Sequence, residues 1–343
     1  MNRERKGCDT GMEGTTVYLY KTSPETLFRD LGKALDTPEF RKLRPENETV
    51  IKINANYDRN WPGCNTSLWF LDALLGNLRA RGFENLNVIE GDLKLQPARG
   101  TVAALGITKL LDRHNVPFIP IEELPRDDCE LPLILHDSQL INTSVLHTHT
   151  FAVISCATKN LFGLLPVYRE KYHNELSLKL LEILENLRRA NCRMFAIIDG
   201  TVGLEGGSMR MGDPKRLDMI LAGDDALELD RVASEIMGFS VADVPLLRLA
   251  LATGALDPAP VRVDKGRDFP DNLPVHPFAY SESRIAGFDL WLRRNWLTGR
   301  FLRYNSPLDR LAQHARRFYT ARVYNRKKEK VMSGDWTEYR HEE

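Results

Sequence analysis

His147, His149, Lys159, Asn160, Lys171 and His173 crowd one stretch of the 343-residue chain, between Asn142 and Asn174. They surround a short apolar run, residues 151–155 (FAVIS). A solvated loop has no use for that run, and a plain core strand has no use for so many cationic and amide groups beside it. The economical reading is a buried strand over 151–155 whose flanking polar groups project into a cleft, since ligands of α/β sheets usually sit at strand ends. The alternative is a set of capping and surface residues. Downstream, Asp199 and Glu205 stand in the glycine-rich segment DGTVGLEGGSMRMGDP, with Gly206, Gly207 and Arg210. Upstream, Lys52 and Asn54 stand in TVIKIN. A lysine inside such a strand either snorkels at an edge or aims at an anion.

Imidazole beside carboxylate suits general acid/base work, and a lysine near glycine-loop amides stabilises developing negative charge. His149, Lys159, His173, Asp199 and Glu205 are the expected catalytic groups. Lys52, Asn54, Asn160, Lys171, Gly206, Gly207 and Arg210 are expected to hold a small anionic substrate. The same donors suit a divalent metal instead, with His147, His149, His173 and Asp199 as candidate ligands. His147 and His149 would share one strand face if the strand begins early.

Elements to position these groups are legible along the chain. Strands are expected at Val17–Tyr20, Thr49–Asn54, Leu86–Ile89, Pro117–Ile119, Leu131–Leu135, Met194–Ile198 and Met219–Ala222. The strand at 194–198 would deliver Asp199 at its carboxyl end, and the glycine-rich segment would follow as an anion-cradling loop. Helices are expected from the Ser23 cap to Leu35, from Leu68 through a basic last turn at Arg79 and Arg81 to a stop at Gly82, over Val102–His114, over Leu176–Ala190, after Asp224 and Asp225, and over Val244–Thr253. Asp230, one turn into the helix after Asp225, is a further functional candidate. Strand–helix–strand alternation predicts right-handed crossovers and a mostly parallel sheet with flanking helices. Residues 1–254 read as this α/β domain, with a loosely attached stretch over 1–14. Residues 255–343 read as an extension packing on it, helical and rich in arginine and aromatics over Trp291–Tyr324, with a mobile tail.

Lys+Arg and Asp+Glu are both 47, so global charge favours no polyanionic partner, and nucleic acid is disfavoured. Five dispersed cysteines form no CxxC, so no zinc framework and no iron–sulfur cluster are expected, and reduced thiols fit a cytoplasmic protein. The N-terminus lacks the apolar core of a signal peptide and no stretch reaches 18 apolar residues, so no membrane span is expected. Self-association into a homo-oligomer is compatible with the composition.

An ordered series then stands out: Lys52–Asn54 (KIN), Glu90-Gly91-Asp92, THTFAVISCATKNLFG over 148–163, KYH over 171–173, IIDGTVGLEGG over 197–207, and ILAGDDALELDRVASEIMG over 220–238. This series resembles the domain-of-unknown-function 362 family (DUF362), over about residues 48–255. The resemblance implies a cytosolic α/β protein. Many members carry a ferredoxin-like four-iron–four-sulfur module, and this chain departs from them by lacking clustered cysteines. It also has His147 where the family often has lysine, and Ser208-Met209 where Gly-Pro is usual. The expected function is an enzyme acting on a small anionic organic substrate. The competing expectation is a partner protein that docks protein or nucleic acid through its arginine/aromatic segment.

Overall fold

Apolar residues at helical and strand spacing sort this chain into a single sheet covered on both faces. The computed structural model describes residues 15–93, 96–206, 210–267, 269, 272–280, 307–334 and 336. The expected loose stretch 1–14, Gly207, residues 291–306 of the arginine/aromatic segment and the tail beyond 336 lie outside them. The described strands are β1 (Thr16–Lys21), β2 (Thr49–Lys52), β3 (Leu86–Glu90), β4 (Phe118–Pro120), β5 (Gln139–His149), β6 (Val153–Ser155), β7 (Arg193–Glu205), β8 (Asp213–Gly223) and β9 (Arg262–Asp264). The described α-helices are α1 (Leu27–Leu35), α2 (Leu68–Ala80), α3 (Ala98–Ala104), α4 (Ile107–His114), α5 (Ala157–Asn160), α6 (Leu176–Arg189), α7 (Ala226–Ile236), α8 (Pro245–Thr253) and α9 (Pro307–Met332).

The strands order as β4-β3-β2-β5-β7-β8-β1-β9, and β6 pairs only with β5. Pairing is parallel from β4 through β7 and again between β1 and β9. It is antiparallel where β8 meets β7 and β1, and where β6 folds back on β5. The fold is therefore α/β with a mostly parallel sheet, as expected. One face buries Ile51, Val88, Ile141, Phe195 and Ile197 under α1, α2 and α4. The other buries Val50, Ile89, Leu140, Ala196 and Ile198 under α5, α6, α7 and α8. At about 25 cal/mol per Å² of apolar surface, these two layers dominate stability.

Four expectations are corrected. The central strand is β5, eleven residues long and buried throughout, whereas the 151–155 run supplies only a turn and the short return strand β6. Most of its polar side chains bond internally, Ser144 Oγ being an exception among the described residues. Asn142 Nδ2 donates to Ala157 O at 2.8 Å, Thr143 Oγ1 to Lys52 O at 3.0 Å, and Gln139 Nε2 to Thr49 Oγ1 at 2.9 Å. Residues 133–135 form a 3₁₀ turn rather than a strand. The helix expected over Val102–His114 is two helices, parted at Gly106 with φ +79°. The glycine-rich segment is largely extended: β7 continues through Asp199 to Glu205 and pairs with β8 up to Glu205 against Asp213. The ladder persists through the glycines, with a register shift between Gly200 and Val202, because its hydrogen bonds need no side chain.

The C-terminal helix packs on this body. Tyr324 lies 5.5 Å from Trp61 and 6.1 Å from Tyr57, ring centroid to centroid, and Arg59 stacks 4.3 Å from its ring. Val331 joins the same apolar cluster with Leu204 and Met211.

Candidate functional site

Lys52 closes β2 and Glu90 closes the adjacent β3. Parallel register sets their carboxyl ends side by side, and Lys52 Nζ lies 2.7 Å from Glu90 Oε1. The ammonium also donates to Ile53 O at 2.7 Å. Glu90 accepts from the amides of Gly91 at 2.7 Å and Ala55 at 2.8 Å. Lys52 is 1% exposed, so it is not a cation facing an open cleft: its charge is balanced internally by Glu90, while burial pulls its proton affinity down. Two glycines permit this closeness. A Cβ on Gly163 would sit 2.9 Å from Lys52 Nζ, and one on Gly91 would sit 2.6 Å from Gly163 O.

Lys159 is different. It stands on α5, whose first amides, Ala157 N and Thr158 N, are held by the carboxylate of Asp230 at 2.7 and 3.1 Å. Asn160, next to it, donates to Asn142 Oδ1 at 2.8 Å and Thr143 O at 3.0 Å. Lys159 is half-buried, and its Nζ lies 4.5 Å from the centroid of the Phe162 ring. Among the described residues no carboxylate or carbonyl accepts from it. Burial, followed by the charges of Arg169 and Lys52, pushes its pKa down to about 7. Arg169 is itself buried, and donates to Asp92 O at 2.9 Å and Leu165 O at 3.2 Å.

His149 ends β5. Its Nδ1 accepts from the amides of Phe151 at 3.0 Å and Ala152 at 3.2 Å, which fixes the proton on Nε2. Burial, with Lys159, His173 and His147 nearby, holds its pKa well below the usual imidazole value, so the ring is neutral. Nothing among the described residues accepts from Nε2–H. The turn after it is strained: Val153, β-branched, sits at φ +66°, a conformation that costs on the order of 1–3 kcal/mol.

Rings link these groups. His149 lies 5.9 Å from Phe151, Phe151 lies 5.8 Å from His173, and His173 lies 5.5 Å from Phe162, over which Lys159 rests. The structure thus gathers His149, His173, Lys159 and Asn160 beside the Lys52–Glu90 pair.

It does not gather the remaining candidates. Asp199 is buried, and both its oxygens are occupied: Oδ2 by Ser67 Oγ at 2.7 Å, Oδ1 by Thr201 Oγ1 at 2.6 Å. It fastens the start of α2 to β7. Glu205 lies at the far end of the β7–β8 hairpin, 3.3 Å from Lys215 Nζ and 2.9 Å from Ala279 N. Gly206 donates there to Ala279 O at 2.8 Å, and Arg210 lies near Cys64, where its charge opposes the upward push of burial on the thiol. Lys171 is exposed, 3.7 Å from Glu130. Asn54 braces the following loop through Thr66 and Asn56. His147 is wholly buried. Its Nε2–H donates to Gly63 O, its Nδ1 has no partner, and burial lowers its pKa to about 4. Among the described residues no three His, Cys, Asp or Glu side chains gather as metal ligands, so the candidates His147, His149, His173 and Asp199 do not form one site. Sequence reasoning missed Arg169 and Gly163 and left Glu90 without a role. Glu90-Gly91 just past a strand was the available signal.

Fold and cluster define a class: a mostly parallel α/β protein with lysine and histidine gathered beyond the carboxyl ends of its inner strands. Within that class the chain belongs to the DUF362 family (domain of unknown function), whose model matches residues 49–235, over half of its length. A thylakoid-associated protein of Synechocystis sp. is 28% identical over 112 residues, 32% of this chain and 35% of that protein. The chain thus spans about a third of that relative. A crystal structure of a Thermotoga maritima protein aligns with a TM-score of 0.40 at 12% identity, over 66% of this chain and 59% of that one. No described helix is long and apolar enough to cross a membrane.

Proposed function

We propose that this DUF362 member is a cytoplasmic enzyme that takes a small anionic organic substrate beyond the ends of β2, β3 and β5 and acts on it by acid/base chemistry. One observation carries the reading: Lys159, half-buried beside two further cations, has no acid partner among the described residues. A stability-driven arrangement would pair such a charge, as Glu90 pairs Lys52. An amine poised near neutrality exchanges protons readily at pH 7, and the fixed Nε2–H of His149 is a donor for a developing oxyanion. The metal-assisted version of this chemistry lacks a ligand set among the described residues.

The test is direct. Acetate, pyruvate, phosphate and sugar phosphates are titrated against the protein by NMR or calorimetry. Lys159→Met is expected to weaken the best ligand about tenfold or more, the loss of one charge-assisted contact. Unchanged affinity in that variant would overturn the reading.

A second reading treats α9 as a docking element. It is favoured by Phe318, 74% exposed, and Leu311, 66% exposed, on a helix whose Arg322, Arg326, Lys328 and Lys330 also face outward. Salt-sensitive capture of RNA or DNA that is lost when Phe318 and these cations are replaced together would support it.

A further inference from the structure

We propose, resting on the reading above, that Lys159 is a carbonyl-capturing amine that forms an imine with small oxo acids, whose carboxylate lies in the field of Arg169.

Geometry comes first. Lys159 stands between two anchored neighbours. Asp230 grips the amides at 157 and 158, and Asn160 is tied to β5 by two hydrogen bonds, so the backbone beneath the amine is fixed. Phe162 lies against one side of the ammonium, its ring centroid 4.5 Å from Nζ. Several other buried or half-buried lysines here are held by acids: Lys52 by Glu90 at 2.7 Å, Lys179 by Glu182 at 3.1 Å, Lys215 by Glu205 at 3.3 Å and Lys327 by Asp213 at 3.2 Å. Lys159 has no such partner among the described residues. His149, in electrostatic contact with Lys159, presents a neutral Nε2–H with no acceptor among the described residues, the donor a carbonyl oxygen needs.

The charges choose between a plain anion and a carbonyl compound. A bare carboxylate is served by an ammonium alone. Two neighbouring cations work against that ammonium, and with a pKa of about 7 roughly half of Lys159 is free amine at neutral pH. A free amine is wasted on a carboxylate and is what a carbonyl carbon requires. An oxo acid uses both features: its carboxylate answers the charge of Arg169 and its carbonyl meets the amine.

The step balances. The nitrogen lone pair adds to the carbonyl carbon, and the carbonyl oxygen leaves as water with two of the three ammonium protons. The third proton stays on the iminium nitrogen, so charge is conserved and no oxidant or reductant takes part.

The full-length protein is incubated with pyruvate, glyoxylate or 2-oxoglutarate and sodium cyanoborohydride, then digested for peptide mass spectrometry. Hydride reduces the iminium to a stable secondary amine whose mass gain is the oxo acid less one oxygen. Label is expected at Lys159 at least tenfold faster than at the exposed Lys171, and Lys159→Met should abolish that peptide's label. Labelling of Lys159 no faster than Lys171 overturns the imine. If pyruvate still binds by NMR in that case, the anion-site reading survives alone. If no oxo acid binds at millimolar concentration, both fall.

Discussion

Lys159 makes its own case for measurement. In an unfolded chain it titrates near 10.5, and in the fold near 7. Between those values the unfolded state binds more protons, so stability rises with pH across that window and the penalty is gone above it. Urea unfolding at pH 7, 8.5 and 10 should show that rise, and Lys159→Met should flatten it. Residue type alone pointed to Lys159, His149 and His173, because imidazole and amine near an apolar run are uncommon. It did not show that Asp199 and Glu205 lie apart from them. Their partners, Ser67 and Ala279, lie 132 and 74 residues away, and no local pattern reports such distant bonds.

At the scale of elements, α2 and α6 were legible because one leucine stripe at helical spacing faces the sheet in each. β5 was not. Its sequence, QLINTSVLHTH, alternates too little in polarity, since polar side chains point inward on both faces and most of them bond there. The β7–β8 hairpin was hidden by glycines, which read as loop although Gly203 lies in a ladder with Phe278 pressed against it. Close packing at the end of β3 gives a paired prediction. Gly91→Ala, with a Cβ 2.6 Å from Gly163 O, should destabilise by about 1–3 kcal/mol through backbone displacement. Gly100→Ala, in α3 with nothing within 4 Å, should stabilise by roughly 0.5–1 kcal/mol, because alanine is the better helix former. Chemical denaturation of the two variants side by side checks both signs.

Across the whole molecule, the expected α/β class with a mostly parallel sheet describes the fold, and helix α9 packs against the sheet body. Tyr324, 7% exposed between Trp61, Tyr57 and Arg59, anchors that contact. Tyr324→Ala should cost about 3 kcal/mol and accelerate amide exchange over residues 307–332, with little change in the sheet. Uniform acceleration everywhere would mean that helix and sheet unfold as one unit.

The position of β1 has a consequence for synthesis. Its ladder neighbours are β8 and β9, which begin at Asp213 and Arg262, so β1 has no described ladder partner until β8 has been synthesised. At translation rates of about 5–20 residues per second, the wait is on the order of 10–40 s. During that interval the segment TVYLYK, β-prone and nearly uncharged, is open to wrong pairing. Nascent chains stalled before residue 213 are therefore the species in which a chaperone's grip on residues 16–21 should be strongest.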